Sequence, residues 1–168
     1  SLKEVEILSE LTSIPEATFR SCTSLDKINL PSSVTTIEMS SFESCMLLKE
    51  IIIPNSAITI GNYAFHQCNS LECIFIPSSV KSIGNYAFKF CKSLKKVDFD
   101  KNSVLNSIGS FSFYGCSELS MISVPPSVTF IGKDAFTSCF KLEKIILPAV
   151  IKNLGNNFVS NNTKIIFE

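Results

Sequence analysis

Apolar residues in this chain alternate over short runs and then change period. Ile28-x-Leu30 and Ile74-x-Ile76 have the spacing of a strand with one face inward. Pro31, Pro54, Pro77, Pro125 and Pro148 follow such runs; lacking an N–H for the ladder, each should end its strand. The chain then passes through Val and Ile to Gly61, Gly84, Gly109, Gly132 or Gly155, expected to supply conformational freedom. An Ala-Phe-x-x-Cys segment of about one helical turn comes next. Phe and Cys three apart share a helical face, so both should point behind the strands.

These features recur in columns. Cysteines stand at 22, 45, 68, 91, 116 and 139, at intervals of 23, 23, 23, 25 and 23, and only Cys73 falls outside the series. Three residues before each lies Phe19, Phe42, Phe65, Phe88, Phe113 or Phe136, and three after it Leu25, Leu48, Leu71, Leu94, Leu119 or Leu142. Ile14, Ile37, Ile60, Ile83, Ile108 and Ile131 form a further column eight residues before the cysteines. A fixed period in this range signals a repeat architecture. One unit has too little core to fold alone, whereas stacking makes each inward column continuous, so the predicted fold is a solenoid. Strand cores at 2–7, 25–30, 48–53, 71–76, 94–99, 119–124 and 142–147, with a degenerate eighth at 165–167, predict a single domain over 1–168. At ~4.8 Å per strand such a stack is about 34 Å long.

The unit Leu-x-x-Ile-x-Leu-Pro-x-x-Val-x-x-Ile-Gly-x-x-Ala-Phe-x-x-Cys resembles the 23-residue leucine-rich repeat of the BspA-like family, most closely over Leu71 to Cys91. Departures are local. Leu8 and Asp100 replace the proline, Pro15 and Glu38 the glycine, two extra residues lie between Phe99 and Ile108, and the last unit lacks Phe and Cys at their places. The resemblance implies an α/β repeat solenoid: a right-handed leucine-rich-repeat superhelix with a concave parallel β-sheet and short helical or extended convex segments. It also implies a surface-exposed or secreted adhesion protein that binds matrix proteins, host cells or its own kind.

Composition narrows the function classes. Of 168 residues, 45% are hydrophobic and 18% charged, with 15 basic side chains against 15 acidic, which describes a core-rich, neutral domain rather than a disordered one. Zero formal charge offers no general attraction for nucleic acid or an acidic membrane. Pure aliphatic runs stop at three residues, as in Ile51-Ile52-Ile53, against the ~20 of a bilayer span.

Strand alternation predicts which side chains face a partner. The third positions are Glu4, Lys27, Glu50, Cys73, Lys96, Met121 and Lys144, and the fifth are Glu6, Asn29, Ile52, Phe75, Asp98, Ser123 and Ile146. Ile52, Cys73 and Phe75 are expected together near the middle, flanked by Glu50, Lys96 and Asp98. An apolar centre with a charged rim is the anatomy of a protein-binding patch. The candidate site is therefore Glu50, Ile52, Cys73, Phe75, Lys96, Asp98 and Met121. The competing reading is that Ile and Phe suit exposed strand positions through β-propensity and cross-strand packing.

No catalytic or cofactor constellation emerges. The cysteine spacing contains no Cys-x-x-Cys, only one histidine is present, and stacked cysteines point the same way, so the column reads as buried free thiols acting as small hydrophobes. Cys73 alone should be exposed. His66 reads as a solvated turn histidine, the Pro-Ser-Ser-Val serines as residues satisfying local backbone groups, and Lys89, Lys92, Lys95 and Lys96 as a solvated basic cluster. Phosphate loops, His-Glu-x-x-His and nucleophile elbows are missing. The chain opens on Ser1 and closes on a strand, as expected of a fragment of a longer array or a form trimmed of its leader. Asn161-Asn162-Thr163 is an N-glycosylation sequon. Two classes follow: a surface or secreted adhesion module that binds protein or glycoprotein through the concave face, or a cytoplasmic scaffold assembling protein partners. Self-association through exposed terminal strands is a further expectation.

Overall fold

The computed structural model describes residues 2–7, 10–151, 153–155 and 157–168. In chain order the strands are β1 (Glu4–Glu6), β2 (Ser13–Ile14), β3 (Lys27–Asn29), β4 (Thr36–Ile37), β5 (Thr59–Ile60), β6 (Cys73–Ile76), β7 (Ser82–Ile83), β8 (Lys96–Phe99), β9 (Ser107–Ile108), β10 (Met121–Ser123), β11 (Phe130–Ile131), β12 (Lys144–Leu147), β13 (Asn153–Leu154) and β14 (Lys164–Phe167). All pairings among them are parallel and join one repeat to the next: Cys73 sits opposite Lys96, and Thr59 opposite Ser82. The fold is a parallel β-solenoid of about seven turns.

Its most continuous ladder is not the expected one. The isoleucine column builds an unbroken seven-stranded sheet in the order β13-β11-β9-β7-β5-β4-β2, whereas the longer strands fall into three sheets, β1-β3, β6-β8 and β10-β12-β14. The run expected as a strand at 48–53 forms no ladder, although Ile51 and Ile53 are buried and Ile52 is exposed, as in a strand. The second break, between β8 and β10, lies at the longer repeat. There Asp100 takes the place of proline, its side chain accepting from the Asn102 N–H at 2.8 Å and its carbonyl from the Ser103 N–H at 3.0 Å. Elsewhere a proline carbonyl closes the same turn, as from Val80 N–H to Pro77 at 3.2 Å. Leu8 lies outside the described residues.

The α/β class and the helical convex segments are corrected: among the described residues there is no helix. Around each Ala-Phe-x-x-Cys segment the residue two before Phe and the residue before Cys are left-handed, which breaks a helix. Tyr63 has φ 57° and Gln67 φ 59°, and Tyr86 and Phe90 both have φ 60°. Left-handed residues turn alternate N–H groups along the stack. Those of Tyr63, Phe65 and Gln67 donate to the carbonyls of Asn85, Ala87 and Lys89 at 2.9, 2.7 and 2.8 Å, while those of His66 and Cys68 close local turns to Tyr63 and Phe65. A left-handed L-residue costs roughly 1–2 kcal/mol. Satisfying buried backbone groups from the next repeat offsets that cost, which a helix could not do with its bonds all internal.

The interior is a set of continuous columns. Six phenylalanine rings stack from Phe19 to Phe136 with centroids 5.1–5.3 Å apart, and Phe42 to Phe136 are fully buried. The glycine column serves close approach rather than backbone freedom. A Cβ on Gly84 would lie 2.6 Å from the Asn62 nitrogen and the Gly61 carbonyl carbon, and the only left-handed glycine among the described residues is Gly115 at φ 73°. The second serine of Pro-Ser-Ser-Val likewise acts between repeats rather than locally. Ser33 and Ser79 donate to the carbonyls of Leu11 and Ala57, one turn earlier, at 2.8 and 2.7 Å.

Candidate protein-interaction face

Alternation along the longer strands and along the unpaired run 48–53 turns the predicted site residues outward, Asp98 only partly. Ile28, Ile74 and Ile122 are buried between exposed neighbours and Val97 between exposed Lys96 and half-buried Asp98, because the inward positions join the core columns. Glu50, Cys73, Lys96 and Met121 are exposed, Ile52 is 79% exposed, Phe75 49%, and Asp98 is half-buried. In the β6–β8 register Cys73 lies opposite Lys96 and Phe75 opposite Asp98. The Glu72 N–H donates to the Lys49 carbonyl at 3.1 Å, which holds the segment carrying Glu50 and Ile52 beside β6. Met121 stands across the sheet break from Lys96 and Asp98, and these three share a shallow groove of about 300 Å³ with Ser123, Pro125 and Pro126.

The charges on this face meet one another. Lys96 Nζ is 2.8 Å from Asp98, Lys95 Nζ 2.9 Å from Glu72, and Lys27 Nζ 3.9 Å from Glu4. The Lys95 ammonium, hydrogen-bonded to Glu72, holds that carboxyl below its usual range, and Glu72 in turn raises Lys95; Asp98 likewise raises Lys96. All are solvent-exposed, so each pair contributes little to stability. Among the described residues no three His, Cys, Asp or Glu side chains cluster as a metal site, and no helix is long and apolar enough to cross a membrane.

The sequence profile of the BspA type leucine-rich repeat region matches residues 1–104 and 98–166, in six copies. This chain belongs to the BspA-type leucine-rich repeat family. Among solved structures, the BspA-type chain is similar to a leucine-rich repeat protein of T. pallidum, with 31% identity over 83% of this chain and 68% of that one, at a TM-score of 0.78. It is similar to a leucine-rich repeat protein of Bacteroides ovatus, with 25% identity over 99% of this chain and 55% of the other, at a TM-score of 0.73. It also resembles a leucine rich cell surface protein of Faecalibacterium prausnitzii, with 25% identity over 99% of this chain and 60% of that one, at a TM-score of 0.67. The BspA-type chain thus spans 55% to 68% of the length of these three. No curated protein matches it.

A second surface of the BspA-type solenoid, on the turn side, escaped the reading of the strands. Tyr63, Tyr86 and Phe111 stack at 4.6 and 5.1 Å, and Lys89 Nζ lies 5.0–5.5 Å from the ring centres of Phe90, Tyr86, Tyr114 and Phe111. Lys89 is therefore held by aromatic faces rather than solvated as part of a basic cluster. The signal was present in the sequence, since an aromatic residue recurs two positions after glycine in Tyr63, Tyr86 and Phe111. His66 is also no free turn histidine. Its Nδ1 lies 3.4 Å from Glu43, which Arg20 also contacts at 3.2 Å, and burial lowers its pKa from the ordinary value against the opposing pull of Glu43.

Proposed function

We propose that this chain is the protein-binding part of a surface or secreted adhesion protein and that its strand face engages a host or matrix protein or glycoprotein. The observation that carries this reading is the apolar group Ile52, Phe75 and Met121, exposed on the strand face while the inward column beneath it, from Ile28 to Ile145, is buried. A side chain of that size left in water is a cost unless a partner covers it. Similarity to a cell surface protein of Faecalibacterium prausnitzii and, at 26% identity and a TM-score of 0.55, to the pneumococcal vaccine antigen PcpA supports a surface location.

Two measurements test it. Antibody staining of unpermeabilised cells expressing the intact protein is expected to be positive. The purified chain is then tested on a panel of immobilised extracellular-matrix proteins, where Phe75→Lys is expected to lower affinity at least about tenfold, as for a central apolar anchor. Unchanged binding by a folded Phe75→Lys variant overturns the strand face as the site, and staining confined to permeabilised cells overturns adhesion.

A further inference from the structure

Resting on the strand face as the binding surface, we infer the chemistry of its partner: an uncharged, apolar polypeptide segment, recognised without electrostatic steering. The inference comes from how the charges of the face are arranged. Along the second strand position the sign alternates at every repeat, through Lys3, Asp26, Lys49, Glu72 and Lys95. Along the third position it alternates in the opposite phase through Glu4, Lys27 and Glu50, after which Cys73 is uncharged and Lys96 repeats the sign of Lys95. With Glu6, Asp98, Glu143, Lys144 and Lys164 the outward strand positions hold seven lysines and seven carboxylates.

Such a checkerboard has no net field. From the first to the third repeat each charge has an opposite sign beside it and in the adjacent repeat, and further along the charges close into pairs: besides Glu4 with Lys27, Glu72 pairs with Lys95 and Asp98 with Lys96, so that the adjacent Lys95 and Lys96 are each neutralised. A charged segment approaching this face meets as much repulsion as attraction, and at the three closed pairs it must also displace a partner already in place. The apolar side chains have no such competitor. Ile52 is 79% exposed and stands in the fifth-position column beside Phe75, while Met121, 50% exposed, lies across the Lys96–Asp98 pair. Burial of these three is the favourable interaction the face has left to make.

The test pans a displayed library of random linear peptides on the immobilised chain, with the Ile52→Ser/Phe75→Ser double variant as counter-target. These are outward-facing positions, so the variant keeps the core intact, which a retained denaturation midpoint verifies. The expected result is enrichment, on the wild-type chain only, of peptides rich in apolar and poor in charged residues, whose affinity changes less than about threefold when NaCl rises from about 50 to about 500 mM. Enrichment of charged peptides whose binding falls about tenfold or more with salt, and which lose affinity to Glu50→Gln or Lys96→Met, overturns this inference while leaving the strand face as the binding site. Equal enrichment on wild type and double variant overturns the strand face itself and the inference with it.

Discussion

The sulfur of Cys91 donates a hydrogen bond to the carbonyl oxygen of Phe65, one turn earlier in the solenoid, at 3.1 Å. The same carbonyl accepts the Cys68 N–H at 3.1 Å, so the thiol takes its second lone pair. Cys45, Cys68, Cys116 and Cys139 repeat the contact with Phe19, Phe42, Phe88 and Phe113 at 3.1–3.2 Å. Cysteine in this column is therefore both a small buried hydrophobe and a donor to an inward carbonyl. Replacing Cys91 by Ala removes the donor and leaves a small void, with an expected loss of about 1–2 kcal/mol in urea unfolding. A Cys91→Ala variant as stable as wild type would show that the thiol contact contributes nothing.

Thiol accessibility gives a second, independent check. Burial pushes Cys45 up to about 12, with the neighbouring Cys22 adding to the rise, and burial likewise raises Cys68, Cys91 and Cys116. In the folded protein at pH 8 a thiol reagent should modify exposed Cys73 quickly and half-buried Cys22 more slowly, while the five buried thiols wait for unfolding. Fast modification of all seven cysteines in the native protein contradicts the buried column.

Two substitutions at neighbouring kinds of position should act in opposite directions. Ser138 is left-handed at φ 60°, in the column where Gly115 occurs naturally, so Ser138→Gly is expected to raise stability by up to ~1 kcal/mol. Gly84 has an ordinary φ but no room for a Cβ, so Gly84→Ala is expected to lower stability by about 1–3 kcal/mol. Thermal or urea unfolding of both variants distinguishes the two roles.

Ser112 carries a fully buried hydroxyl without a hydrogen-bond partner, in a column that elsewhere holds Ala64, Ala87 and Ala135. Ser112→Ala removes an unsatisfied polar group without opening a large void. Its unfolding midpoint should rise, by about 1 kcal/mol in stability; a lower midpoint would mean that the hydroxyl is bonded in solution.

His66 sets the sign of a pH effect. Burial, aided by nearby Lys89 and Arg20, holds its folded pKa below the ordinary 6.5, despite the Glu43 contact. As pH falls below 6.5 the unfolded chain takes up the proton first, so stability should drop until pH reaches the folded value and then level off. The wild-type-minus-His66→Gln difference in urea midpoint isolates this dependence, and a difference that grows toward low pH in favour of wild type refutes the sign.

Much of the strand face was legible residue by residue, because strand alternation fixes which side chains face out whether or not a ladder closes. Ile52 is outward and Ile51 and Ile53 inward, even though 48–53 forms no ladder. The turn side was not legible in that way. Phe-x-x-Cys spacing places both side chains inward in a helix, and it does so equally in the left-handed turns found here. Nothing in Tyr63, Gln67 or Phe90 as residue types announces a positive φ. The Lys89 aromatic contacts were missed for a related reason: they join residues of two repeats, and only the stack sets them at 5.0–5.5 Å.

The 23-residue recurrence of Leu, Ile, Phe and Cys was enough to establish the family, the number of turns and the inward columns, since a column that must be apolar in every unit can only be core. Backbone conformation between the columns was decided in three dimensions. A left-handed tyrosine or glutamine is unfavourable in its own segment, and it becomes favourable only when a carbonyl of the next repeat waits about 2.8–2.9 Å away, as for Tyr63 and Gln67. The same holds for the glycine column and for the cysteine thiols. Their partners are backbone atoms of adjacent turns, which carry no side-chain signature along the chain.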